Sequence, residues 1–155
     1  MGPRAPSVRI ANLLALIIGS GTWLLAFVIR DLARKHGETL ENHWHGIRLP
    51  LAWVKGLGPR SVEVPVISAV IVLVILCAVV LLWWRLRPTA LAAIGLGLFG
   101  GGSAANIAER ITFGSVTDYI PISWPDYYFL NFSDLAVLAG GVLLAIAMVG
   151  SLARR

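Results

Sequence analysis

Residues 89–108 read TALAAIGLGLFGGGSAANIA, twenty positions without one Asp, Glu, Lys, Arg or His. As a helix, such a run is about 30 Å long, the thickness of a bilayer's hydrocarbon core. Three more runs, 10–29, 64–84 and 135–152, are equally free of charge, so about half of the 155 residues lie in uncharged stretches. The whole chain agrees, with 57% hydrophobic residues, 14% charged residues and a mean hydropathy of +0.80. Soluble domains carry nearly twice that share of charge. The expected fold is therefore an all-α membrane protein, one domain over 1–155 with four transmembrane helices near 10–29, 64–84, 89–108 and 135–152. Outer loops are expected at 30–63 and 109–134, with a small extracytoplasmic loop or β element between spans one and two. A soluble enzyme, a disulfide-stapled secreted module and a disordered tail are excluded.

The run at 10–29 follows Arg4 and Arg9, as in a secretory signal, but it is too long for a signal's apolar region. It also meets Arg30-Asp31 with no small-residue cleavage site, so it reads as a retained span. Orientation follows from the basic residues. Arg4, Arg9, Arg85, Arg87, Arg154 and Arg155 fall on one side of an even number of spans, which places both termini in the cytoplasm. The outer loop also holds six basic residues, Arg30, Arg34, Lys35, Arg48, Lys55 and Arg60, but at lower density and diluted by acids. The net charge of +5 is spread over span ends, which suits lipid headgroups and topology rather than nucleic acid. Cys77, the single cysteine, sits in an apolar run and reads as a small hydrophobe.

Two features carry little chemistry alone. His43-Trp44-His45 could place two imidazoles on one face of a strand, but without cysteine partners or H-E-x-x-H spacing they read as loop residues beside an interfacial tryptophan. No metal is expected. The glycines of the third run, among them the G-x-x-x-G pair Gly97 and Gly101, together with Gly140-Gly141 in the fourth, read as close helix packing. That packing holds the outer ends of the two spans together.

At those ends the polar residues change in kind. Asn106, Glu109 and Arg110 share one helical face. Asp118 follows in a segment, 112–120, whose Thr, Val, Phe and Tyr content suits an extended strand. Asn131 and Asp134 open the fourth run three residues apart. Asn131 or Ser133 capping the helix, with Asp134 complementing its dipole, is one reading. The other is that Asp118 and Asp134 are brought to one membrane face, share a proton, and act as general base and general acid. That is aspartyl-peptidase chemistry.

These residues resemble the bacterial lipoprotein signal peptidase family, also called signal peptidase II. That family has four spans and a G-G-x-x-G-N-x-x-D-R motif ending the third, followed by V-x-D-[FY] and by F-N-x-A-D at the start of the fourth. This chain reads Gly101-Gly102-Ser103-Ala104-Ala105-Asn106-Ile107-Ala108-Glu109-Arg110, then Gly114-Ser115-Val116-Thr117-Asp118-Tyr119, then Asn131-Phe132-Ser133-Asp134. The resemblance implies that Asp118 and Asp134 are the catalytic dyad and that Asn106, Arg110 and Asn131 support it and position substrate. Ala105, Glu109 and Ser133 depart from the motif glycine, aspartate and alanine. The family's aspartate and lysine of span one have no counterpart in the stretch taken as equivalent, 19–23, and its N-x-G-x-A-F segment is missing.

The resemblance implies a membrane aspartyl endopeptidase of the bacterial inner (plasma) membrane that cuts signal peptides from diacylglyceryl-modified prolipoproteins, without a cofactor. The expected partners are that substrate and membrane lipids, with no nucleic acid, and the expected state is a monomer. A noncatalytic four-span protein that binds lipoproteins or lipids is the alternative, favoured by the missing span-one charges. A proton-coupled transporter needs an ionisable group deep in the membrane, which the four runs lack.

Overall fold

The computed structural model describes residues 7–43, 81, 89–113, 116–122 and 128–153. In chain order these form α1 (Val8–His43), α2 (Ala90–Phe113), β1 (Ile120–Ile122), β2 (Tyr128–Leu130) and α3 (Phe132–Leu152). Val8–Lys35, Ala90–Phe113 and Phe132–Leu152 are long and apolar enough to cross a membrane. Their outward faces carry Leu13, Leu16, Ile17, Leu24, Leu138 and Val149, all exposed, as lipid-facing positions require.

The expected architecture is corrected in three places. The described residues hold three membrane-length helices rather than four; the run at 64–84, with Cys77, lies outside them save for Leu81. Among the described residues the strand pair lies between α2 and α3, with Ile120 paired to Leu130, Pro121 to Phe129 and Ile122 to Tyr128 in antiparallel register, while the stretch 44–63, where a loop or β element is expected, lies outside them. The expected strand at 112–120 begins only at Ile120, because Thr112 and Phe113 still belong to α2.

Within the outer loop expected at 30–63, a brief helical extension of the first span is expected over 30–36, and α1 carries it further, to His43. Leu32, Ala33, Arg34, Lys35, Glu38, Leu40 and Glu41 are good helix formers, and extending an existing helix needs no new nucleus. Lys35 also meets Asp31 one turn away at 2.7 Å. At 36 residues, α1 is about 54 Å long and outreaches the bilayer core.

Small residues set the packing. Gly97 approaches Ala15 and Ile18 of α1, and Gly101 approaches Gly19 and Thr22, so the G-x-x-x-G pair joins α2 to α1 and the two helices run parallel. On the opposite side Gly95 meets Gly140 and Leu143, while Gly102 meets Ser133 and Ala136, so α3 runs antiparallel to α2. A Cβ at Gly102 would stand 2.6 Å from the Ser133 carbonyl oxygen, and one at Gly140 2.5 Å from the Phe99 nitrogen. No larger residue fits there without parting the helices. This arrangement brings the Arg30–Arg34 stretch of α1, the C-terminal end of α2 and the N-terminal end of α3 together.

Candidate active site

The site begins at the start of α3. Asn131 is its N-cap, in extended backbone at φ −126° and ψ 174°. The Asp134 backbone N–H donates to Asn131 Oδ1 at 3.1 Å, and the Asn131 N–H donates to Asp134 Oδ2 at 3.0 Å. This capping box satisfies two otherwise orphaned N–H groups and fixes the Asp134 carboxylate beside the positive end of the helix. Capping and site geometry, two alternatives in the sequence, are here one arrangement.

Asp118 is delivered by the hairpin. The Tyr119 N–H donates to the Leu130 carbonyl at 3.0 Å, extending the β1–β2 ladder back toward Asp118. The Phe132 N–H donates to the Tyr119 hydroxyl oxygen at 2.9 Å and pins the hairpin to the first turn of α3. Asn131 Nδ2 then donates to Asp118 Oδ1 at 2.7 Å. Asn131, completely buried, thus serves Asp118 with its side chain and Asp134 with its backbone.

The third contribution comes from α2. Asn106 Nδ2 donates to Asp134 Oδ1 at 2.7 Å, so both oxygens of that carboxylate are engaged. Glu109, one turn on, is only 4% exposed. Two cations of α1 meet it: Arg30 Nε lies 3.0 Å from Glu109 Oε2, and the Arg34 guanidinium pairs with Oε1. Thr117 accepts from Arg34 Nε at 3.1 Å and donates to Glu109 Oε1 at 2.6 Å. The Arg34 guanidinium also lies over the Phe113 ring, 4.1 Å from its centre.

Arg30 and Arg34 were read from sequence as loop and topology charges; both reach inward, and Arg30 is 6% exposed. A signal was present. Ala11, Ala15, Gly19, Thr22, Ala26 and Arg30 follow one another at three- or four-residue spacing, a stripe of small residues that faces the neighbouring helices and ends in a cation. Ser133, also completely buried, accepts from Arg30 at 3.0 Å.

Arg110 sits in the last turn of α2 on an exposed face. Of the other residues expected in the site, Asn106, Asn131, Asp118 and Asp134 form one hydrogen-bonded chain. His43 is the last residue of the α1 helix rather than part of a strand, and Trp44 and His45 lie outside the described residues. Among the described residues no group of three or more His, Cys, Asp and Glu side chains is placed to hold a metal.

The two carboxylates differ electrostatically. Burial pushes the Asp118 carboxyl above its ordinary value, and the neighbouring Asp134 charge, with Glu109 further off, pushes it the same way. The Asn131 amide and the Arg30 charge oppose that rise. Burial likewise raises the Tyr119 hydroxyl, against the Phe132 N–H it accepts. A half-buried acid that favours its proton, tied through one asparagine to a carboxylate at a helix N-terminus, is an arrangement suited to general acid–base chemistry on water. Beside it a groove of about 280 Å³ opens between α1 and α2, walled by Trp23, Phe27, Arg30, Arg34, Glu109 and Phe113. The larger groove of about 930 Å³ follows the glycine-lined seam, away from the carboxylates.

Comparison with known proteins gives the same direction. Residues 39–150 match the family model described as signal peptidase (SPase) II. A lipoprotein signal peptidase of Nitrobacter hamburgensis is 30% identical over 145 residues, 87% of either chain. One from Syntrophomonas wolfei is 34% identical over 94 residues, 61% of this chain and 60% of the relative. In fold, the chain matches a solved bacterial membrane enzyme with a TM-score of 0.63 at 17% identity, covering 100% of this chain and 96% of that one. The motif at the ends of α2 and α3, the membrane-length helices and the match over most of the length agree: the chain belongs to the signal peptidase II family, membrane aspartic peptidases that act on lipoproteins.

Proposed function

We propose that Asp118 and Asp134 form the dyad with which this lipoprotein signal peptidase hydrolyses the bond before the diacylglyceryl cysteine of a prolipoprotein. The observation that carries the assignment is the double use of Asn131, which donates to Asp118 from its side chain and to Asp134 from its backbone. Asp134, held by donors at a helix N-terminus, is the ionised member and takes a proton from water as the oxygen attacks the scissile carbonyl. Asp118, whose carboxyl favours its proton, gives that proton to the carbonyl oxygen. The tetrahedral intermediate then collapses: the C–N bond breaks, the Asp134 proton passes to the leaving amine, and a hydroxyl proton returns to Asp118.

Asn106 and Asn131 support the carboxylates. Arg110, on the exposed face of the last turn of α2, is assigned to substrate or lipid headgroups. The Val8 end of α1 and the Leu152 end of α3 lie at the end of the bundle opposite the carboxylates, and we assign that end to the cytoplasm. The assignment also takes the enzyme as a monomer working without metal, cofactor or nucleic acid. The test is cleavage of a diacylglyceryl prolipoprotein by the purified protein in detergent. The mature band appears with the natural chain and is absent with Asp118→Asn or Asp134→Asn; substantial product from either variant overturns the assignment.

A further inference from the structure

Arg30 is the last member of the small-residue stripe of α1, and its side chain enters the polar end of the bundle. Its guanidinium donates to the Ala105 carbonyl at 2.9 Å, to Ser133 Oγ at 3.0 Å, to Asn131 Oδ1 at 3.3 Å and, closely, to Asn106 Oδ1. Its Nε meets Glu109. A guanidinium has only donors, so any amide facing it must present oxygen. Each asparagine then has a single choice: oxygen toward Arg30 and Nδ2 away from it. In both cases Nδ2 ends on a carboxylate, Asn106 on Asp134 and Asn131 on Asp118, each at 2.7 Å.

We propose that Arg30 is the positioning residue of the dyad, fixing both asparagine amides so that each aspartate receives an N–H donor. The inference rests on the dyad assignment above. Lys cannot replace the guanidinium: Nη2 meets both amide oxygens and Ser133 Oγ, while Nη1 holds the Ala105 carbonyl and Nε faces Glu109, and a single ammonium cannot reach all of these at once. Without the guanidinium, the Asn106 amide can rotate and turn its oxygen toward Asp134, whereas Asn131 still has the Asp134 N–H on its oxygen but loses the cation beside its amide. The rotated amide disfavours the ionised form of Asp134. Among the described residues, the charged groups facing Asp118 are Arg30 from α1, Glu109 from α2 and Asp134 from α3. Arg30 is thus the cation among them that holds the acid's pKa down, both directly and through Asn131.

Two measurements on the detergent-solubilised full chain test this. In Arg30→Lys, kcat falls about 10- to 100-fold with a smaller change in KM, and the pH–rate profile moves to higher pH as a whole. Arg30→Gln leaves the Glu109 carboxylate buried beside a neutral group and endangers the fold. The paired variant Arg30→Gln/Glu109→Gln, which removes both charges, is therefore measured with it and shifts the profile in the same direction. Independently of cleavage, the chain has four asparagines, so selective ¹⁵N-asparagine labelling yields four side-chain amide pairs. In the natural chain the Asn106 and Asn131 pairs move with the titration of the dyad; in Arg30→Lys that response weakens. A lower rate with an unmoved profile and unchanged amide titration would reduce Arg30 to a packing residue and overturn the proposal. Failure of the dyad assignment shows elsewhere, as cleavage by Asp118→Asn.

Discussion

Two regions of the bundle are held together by opposite means. Through the apolar middle, α1, α2 and α3 meet at Gly19, Gly97, Gly101, Gly102 and Gly140, where backbones touch and nearly nothing polar is exchanged. At the end where Arg30, Asn106 and Asn131 converge, almost every contact is a hydrogen bond or an ion pair between different segments. In lipid, close approach through small residues gives van der Waals contact without side-chain entropy loss. A buried charge in that setting survives only when paired and fully hydrogen-bonded. The middle therefore sets distances, and the polar end uses those distances to place two carboxylates. Substitutions in the two regions should have separable signatures, one in stability and the other in the pH dependence of cleavage.

The largest effect belongs to the proposed dyad. Asp118→Asn and Asp134→Asn each lower cleavage by about 1,000-fold or more, with the melting temperature nearly unchanged, while Asp126→Asn stays close to the natural rate. Cleavage assays paired with thermal melts check this. A dyad variant that lost its fold instead would erase the distinction between the two regions.

In the middle of the bundle, Gly140→Ala places a methyl group 2.5 Å from the Phe99 nitrogen. It should cost about 1–3 kcal/mol of stability, with activity falling only as the folded fraction falls and the pH profile unmoved. A shifted profile in this variant would show that the seam tunes the carboxylates as well as spacing them. Thr117→Val removes the hydroxyl between Arg34 and Glu109, leaving the buried Glu109 carboxylate without one donor and the part-buried Arg34 without one acceptor, a loss of about 1–3 kcal/mol readable in the melt.

The smallest effect is electrostatic. Because the folded-state pKa of Asp118 is raised, the fold favours its neutral form. That contribution to stability is fully present below the ordinary carboxylate value, about 3.9, and is lost as pH rises through the raised value. Asp118→Asn, which never ionises, should flatten this part of the melting temperature against pH; an unchanged slope would place the pH sensitivity elsewhere.

The glycine-lined middle was legible because helix packing repeats along the chain. Gly97 and Gly101 announce a close contact by spacing alone, although not that their partner is α1. The clustering of Asn106, Asp118, Asn131 and Asp134 was legible because the four lie in linked motifs. Arg30 was legible only in part: the small-residue stripe that ends in it turns it toward the bundle, but its partners lie on a helix 75 residues away in sequence. Even the departures at Ala105, Glu109 and Ser133, separate in sequence, meet in space, because all three touch Arg30. The extension of α1 to His43 was underestimated for a related reason, since a charged, apolar-poor segment reads as a loop unless its helix already exists.

The most direct test of proton sharing between Asp118 and Asp134 is the pH dependence of single-turnover cleavage of a diacylglyceryl prolipoprotein by the natural chain. A dyad holding one proton is active only between its two macroscopic ionisations. The rate should rise from acid, pass through a maximum and fall again toward alkaline pH, with Asp118→Asn inactive throughout. A rate that climbs to a plateau without an alkaline fall, or an Asp118→Asn variant that follows the same bell, would contradict it.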